Sequence, residues 1–257
     1  MVPVTATDDY NRFVGGMQKE DFTIYDDEIE QEIAFFSHED IPATIGIIFD
    51  LSSSMSRGQR MDQARAALKQ FIDTSHPDDE FFLIGFNQRV ELLQDFTSSA
   101  KEILNSLEMK IPDGFTALYD ACYLALEKVT HGRYKRQALL IISDGMDNKS
   151  RYAYRQLEEM ARERDVLIYA IGGGGFGYPN IKEISSMTGG QAFPFGAAFE
   201  AASRIALELR HQYSLGFYPT SVALDGQWHR LRVKVNPPPG FRRLHVRARE
   251  GYYAAKK

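Results

Sequence analysis

The sequence predicts an α/β fold: an open, doubly wound, mostly parallel sheet flanked by helices, with a small β module built from the two ends of the chain. Three observations predict it. Four near-continuous apolar runs, ATIGIIF, EFFLIGF, QALLIIS and VLIYAIG, read as parallel strands covered on both faces. The stretches between them keep an apolar face at the helical period, the strand–helix alternation of a doubly wound sheet. Both ends are instead strand-like and oppositely charged. At 257 residues, 44% apolar and 12% aromatic, the chain can bury a substantial core.

Residues 1–41 form an N-terminal β segment, in which DFTIYDDEIEQEIAFF supplies strand pieces around an acidic turn at Asp26–Glu28. This segment holds two basic residues against eleven acids, a net charge of about −9. Residues 42–211 form the α/β domain. Met61, Ala64, Leu68, Phe71 and Ile72 share one face of a first helix, and Leu118, Cys122, Ala125 and Val129 share one face of another. Leu157, Met160 and Ala161 mark a further helix, and two more are expected near 179–188 and 196–211. RVELLQDF reads as an antiparallel edge strand paired with the run before it. Residues 212–257 form a C-terminal β segment expected to pack with 1–41. WHRLRVKV alternates strictly, LHVRARE repeats the pattern, and NPPPG between them cannot continue a ladder. From residue 228 onward nine basic residues face one acid, about +8.

Several function classes are disfavoured at once. A net charge of −5 and a pI near 5.7 argue against general nucleic-acid binding. No apolar run is long enough for a transmembrane segment, and MVPVTATDD lacks the basic start and apolar middle of a signal peptide. The single cysteine, Cys122, lies on an apolar helix face and reads as a small buried hydrophobe. The six histidines are scattered without zinc-ligand spacing.

In doubly wound sheets, ligands bind outside the carboxyl ends of the strands. Three polar clusters fall at such strand-to-helix handovers: Asp50, Ser52 and Ser54 in DLSSSM; Thr116 in PDGFTALYDA; and Asp144 in SDGMDN. All are oxygen donors, which suit a hard divalent cation, Mg2+ before Mn2+ or Ca2+, rather than zinc or copper. With the hydroxyls bound directly and the carboxylates helping directly or through water, the cation stays incompletely neutralised. An Asp or Glu carboxylate from a partner protein would complete it. Asp50 is expected on an exposed edge.

D-x-S-x-S at 50–54 with Met55 following, Thr116 in GFTALYDA, and ISDGMDN together resemble the metal-ion-dependent adhesion site of von Willebrand factor A domains. All five ligand positions are matched, by Asp50, Ser52, Ser54, Thr116 and Asp144. The flanks GMQKEDFTIYDDEIEQEIAFFS and YSLGFYP…GQWHRLRVKV…VRAREGYYA resemble the bacterial family of such proteins named for acidobacteria. The resemblance implies a metal-dependent adhesion module in a secreted or periplasmic setting. Ser53 and Glu28 stand where glycine is frequent, and the latter implies a wider hairpin.

Other readings of the same residues compete. Ser54, Ser56 or Thr116 could simply cap the following helices, and Asp144–Gly145 could be a plain turn. A serine nucleophile would want a histidine after a later strand, whereas His131 and His211 fall near helix ends. For a Mg2+-dependent phosphohydrolase with Asp50 attacking, Ser52 leaves no second carboxylate as general acid. No catalytic residue is therefore assigned. A structural subunit that self-associates through the domain is the alternative from another class. GGGGFG at 172–177 is read as a long flexible loop rather than a dinucleotide site. The stripe Arg230, Arg232, Lys234, Arg247 and Arg249 is read as a solvated strand face or a match for the acidic N-terminal segment.

Overall fold

The computed structural model describes residues 1–173, 178–219 and 226–254. From the N-terminus, β1 (Val2–Thr7), β2 (Phe22–Asp26), β3 (Ile29–Gln31) and β4 (Ile33–Ser37) come first. Then follow β5 (Thr44–Asp50), α1 (Arg60–Thr74), β6 (Glu80–Phe86), β7 (Val90–Thr97), α2 (Ala100–Glu108) and α3 (Leu118–Val129). The middle of the chain closes with β8 (Gln137–Ser143), α4 (Tyr154–Glu163), β9 (Leu167–Gly172), α5 (Tyr178–Met187), β10 (Ala192–Phe193) and α6 (Ala198–Arg210). The remainder is β11 (Tyr213–Phe217), β12 (Trp228–Val235), β13 (His245–Ala248) and β14 (Gly251–Tyr253).

The central sheet runs β10-β9-β8-β5-β6-β7, parallel except for the edge strand β7, which pairs antiparallel with β6 as its sequence implies. Every residue of β5 is buried. Ile45, Ile47 and Phe49 face the core shared with α1 and α6, while Ile48 faces the core shared with α3 and α4. Two buried faces explain the unbroken apolar run. The chain leaves β5 for β6 on one side and returns to β8 on the other, so the strand order reverses at β5. The carboxyl ends of β5 and β8 therefore flank the crevice where such sheets bind ligands. Cys122 is buried within the α3 face, which pushes its thiol pKa upward through desolvation.

α2 is an element the sequence reading left unassigned. Its signature was present: Ser99 accepts a hydrogen bond from Glu102 N at 3.3 Å, the first half of a capping box.

The two ends of the chain form two four-stranded antiparallel sheets, β13-β1-β11-β4 and β14-β12-β2-β3, around one core. Phe22 and Tyr213 meet across it with ring centroids 4.9 Å apart. Two details differ from expectation. β12 and β13, joined through NPPPG, belong to different sheets, so the basic residues do not make one stripe. Arg232 pairs with Glu28, Arg247 reaches buried Glu208, and Arg249 pairs with Asp165 at 2.9 Å. The β2–β3 hairpin is also not widened. Asp26 pairs with Ile29, and the two turn residues Asp27 and Glu28 adopt φ of 45° and 68°, the tight left-handed turn that matches strand twist. The carboxylate of Asp27 accepts from Arg230 N at 2.9 Å and anchors that turn without glycine.

Among the described residues no helix is long and apolar enough to cross a membrane.

Candidate metal centre

Asp50 is the last residue of β5, and the chain then turns sharply. Its Oδ1 accepts from Ser52 N at 2.8 Å, and its Oδ2 accepts from Ser143 Oγ, at the end of β8, at 2.6 Å. Ser52 and Ser54 follow, with hydroxyls 2.9 Å apart. The loop carrying Thr116 is pinned to this turn: Ser53 N donates to Gly114 O at 3.0 Å and Asp113 N to Leu51 O at 2.8 Å. On its other side Thr116 N donates to Asn148 Oδ1 at 2.9 Å, and Thr116 O accepts from Lys149 N at 3.0 Å, in the loop after β8. Asp144 opens that loop. The structure thus brings the five predicted residues to one edge of the sheet, on three loops tied to each other by backbone hydrogen bonds.

The expectation of exposure fails. Asp50 is 0% exposed, Asp144 and Ser52 1% and Thr116 3%. They lie at the floor of the crevice, because the loops after β5, before α3 and after β8 close over the strand ends. Burial, offset in part by the Ser143 and Ser52 hydrogen bonds and reinforced by the nearby Asp144 charge, pushes the Asp50 carboxyl up to about 6. Among the described residues no basic side chain hydrogen-bonds or ion-pairs with Asp50. Asp144 has one: Arg60 Nη1 donates to its Oδ2 at 2.9 Å and to Ser54 O at 3.3 Å.

Helix capping does not account for the hydroxyls. The cap of α1 is Gln59 and that of α3 is Ala117, neither with a side-chain bond, while Ser56 Oγ points back to Pro112 O at 3.5 Å. Nor does a histidine serve them. His131 follows α3, beside the start of β5, where Tyr134 N meets Thr44 Oγ1; His211 follows α6, where Arg136 bridges Leu209 O and Ile41 O. Both are at the opposite end of the strands. Two buried carboxylates and three hydroxyls, with one guanidinium to balance them, could hold a hard divalent cation.

Residues 45–146 match the profile of the von Willebrand factor type A domain. That segment is, by this match, a von Willebrand factor A domain. Solved structures share its fold. A mutant of the PilB minor pilin from Streptococcus sanguinis aligns with a TM-score of 0.53 at 13% identity, over 66% of this chain and 62% of that one. Proximal thread matrix protein 1 from the mussel byssus, solved with a zinc-occupied adhesion-site motif, gives 0.56 at 21%, over 71% and 49%. The von Willebrand factor domain of a type V pilus tip protein from Porphyromonas gingivalis gives 0.54 at 12%, over 65% and 95%. The chain therefore spans only part of the pilin and byssal proteins. No curated protein matches it.

Two residues around the A-domain site escaped the sequence reading. Ser143, the strand-end hydroxyl on Asp50, was signalled by its place just before Asp144. Arg60 carried no local signal, since its partner is 84 residues away. The glycine run also gains a definite role at its first residue. Gly172 ends β9 opposite Ser143, and a Cβ there would sit 1.6 Å from Ser143 O. Residues 174–177 of that run lie outside the described residues. Gly172→Ala is expected to cost about 1–3 kcal/mol through forced separation of β8 from β9. Gly196→Ala, with nothing within 4 Å of its added methyl, should be near neutral. Urea unfolding of the two variants checks this, and equal losses would contradict the close-packing argument.

Proposed function

We propose that the A domain is a non-enzymatic, metal-dependent protein-binding module. Asp50, Ser52, Ser54, Thr116 and Asp144 hold a divalent cation, Mg2+ by donor chemistry, and an Asp or Glu side chain of a partner protein completes its coordination. The observation that carries this reading is the desolvated Asp50 carboxylate, raised to about 6 and lacking a basic partner, among oxygen donors from three separate loops. The Ser143 and Ser52 hydrogen bonds offset its burial only in part, and a bound cation would supply the missing positive charge. Zinc bound at the corresponding motif of the byssal protein is in keeping with a cation here, while the all-oxygen donor set favours Mg2+ or Mn2+. The setting we infer is extracytoplasmic, as for pilus-tip domains of this fold.

The test starts with chelator-stripped protein titrated with Mg2+ and Mn2+. A cation at about tenfold its Kd should add about 1.4 kcal/mol of stability. That is a rise of roughly 2–4 °C in melting temperature for a chain of this size. Thr116→Ala should remove most of the rise. No rise in wild type at millimolar cation would sink the metal reading. Sedimentation with and without EDTA then separates partner binding from self-association: metal-dependent dimers in the absence of any partner would favour the assembly reading.

A further inference from the structure

A second cluster of metal-ligating side chains lies in the terminal β module, remote in chemistry from the oxygen-only site. We propose that Asp26, Asp27 and His229 form a site for a borderline divalent cation such as Zn2+, stapling the acidic β2–β3 hairpin to β12. Among the described residues this is the group whose His, Cys, Asp or Glu ligand atoms converge, all within 4.8 Å of one another.

The geometry is that of a coordination site more than of a salt bridge. His229 Nδ1 lies 2.9 Å from Asp27 Oδ2 and 3.5 Å from Asp26 Oδ1. Ligand atoms bound tetrahedrally to zinc at its usual bond lengths are about 3.3 Å apart, between those two distances. Each carboxylate has its other oxygen held from outside the cluster. Tyr252 Oη donates to Asp26 Oδ2 at 2.8 Å, and Arg230 N donates to Asp27 Oδ1 at 2.9 Å. Outer donors of this kind orient metal ligands and leave the second oxygen directed inward. Asp26 Oδ1 is the inward oxygen, and it is buried without a hydrogen-bond partner although its residue is only 4% exposed. A buried carboxylate oxygen in that state is costly unless a cation meets it. Tyr252 also stacks on the His229 ring, with centroids 5.4 Å apart, which fixes the ring plane.

The ligand chemistry sets the metal. One imidazole nitrogen with two carboxylates suits zinc, cobalt or nickel and disfavours Mg2+ and Ca2+, which take oxygen alone. Asp27 is half-exposed, so the cation has a route from solvent and a side open for a water or a fourth ligand. The competing arrangement is a protonated His229 held between two carboxylates, which would bind no metal.

The experiment uses the full chain with Asp50→Asn, which silences the A-domain site, stripped of metal and titrated with Co2+ and Zn2+. Equilibrium dialysis should find one bound ion, and Co2+ should give the visible absorption of a tetrahedral site with nitrogen and oxygen ligands. Excess Mg2+ should leave that ion in place. His229→Phe, which preserves the stack on Tyr252, should abolish binding. Asp27→Asn, a change at an exposed turn, should weaken it even if His229→Phe folds poorly. Tyr252→Phe should weaken it by about 10–100-fold. Absence of a bound ion in Asp50→Asn, or binding that Asp27→Asn leaves unchanged, would overturn the proposal. The A-domain reading stands or falls separately, on the Mg2+ response of protein with Asp50 intact.

Discussion

Arg247→Met should lower the melting temperature by about 6–20 °C, the largest single-residue effect expected in this chain. Glu208, on α6, is 0% exposed. One of its oxygens accepts from Thr5 Oγ1 of β1 at 3.1 Å, from Tyr169 Oη of β9 at 2.9 Å, and from Arg247 of β13. Arg247 is the cationic partner in hydrogen-bond contact with it; burial and the Glu208 charge raise the phenol pKa of Tyr169 well above its ordinary value. Removing one member of a buried ion pair costs about 3–5 kcal/mol, because the other charge is left desolvated. At roughly 2–4 °C per kcal/mol for a chain of this size, the stated range follows. The double change Glu208→Gln with Arg247→Met should recover much of the loss, since it removes the stranded charge. Additive losses in urea unfolding, or a loss below about 1 kcal/mol for Arg247→Met, would show that the pair is not the clamp described. The cluster matters because its members come from both the central sheet and the terminal sheets. It joins the two halves of the fold.

That clamp also shows where sequence reading runs out. Glu208 occurs in ALELR, where an acid near a helix end looks solvated; its burial depends on Arg247, 39 residues further on. The same holds for Arg60 and Asp144. Local chemistry was far more legible. Ile45, Ile47, Ile48 and Phe49 announce a strand with two buried faces because burial leaves no polar position in it. Met61 to Ile72 announce a helix by period alone. The five oxygen-bearing residues could be placed together because strand ends in a doubly wound sheet converge by topology, without any contact being known. The sheet membership of β12 and β13 was not legible, since both alternate in the same way and their partners are set by non-local pairing. Exposure of Asp50 was misjudged for a related reason. A carboxylate is rarely buried without a partner, and sequence does not show the loops that cover this one.

Burial of Asp50 gives the second large prediction, in metal-free protein. Its folded carboxyl, at about 6, lies above the ordinary value of 3.8, so between those pH values the folded state binds more protons than the unfolded one. Stability from this group is therefore greatest below pH 4 and is lost as pH rises through 6, the reverse of a salt-bridged aspartate. The displacement corresponds to about 3 kcal/mol. Other carboxylates, Asp8, Asp40 and Asp95 among them, are held below their ordinary value and pull the opposite way on acidification, Asp40 and Asp95 chiefly through hydrogen bonds to Arg210 and Lys128. The comparison must therefore be wild type against Asp50→Asn, both in EDTA. Asp50→Asn keeps an oxygen to accept from Ser52 N, can donate its amide N–H to the Ser143 hydroxyl, and carries no charge, so its relative stability should improve by about 3 kcal/mol between pH 4 and pH 7.5. That is a change of roughly 6–12 °C in the gap between the two melting temperatures. Added Mg2+ should reverse the order at pH 7.5, raising wild type alone. Its apparent affinity should fall below about pH 6, where a proton competes for Asp50. A gap that does not move with pH would mean that the crevice solvates Asp50 well in the absence of metal, and the main physical argument for a cation there would be gone.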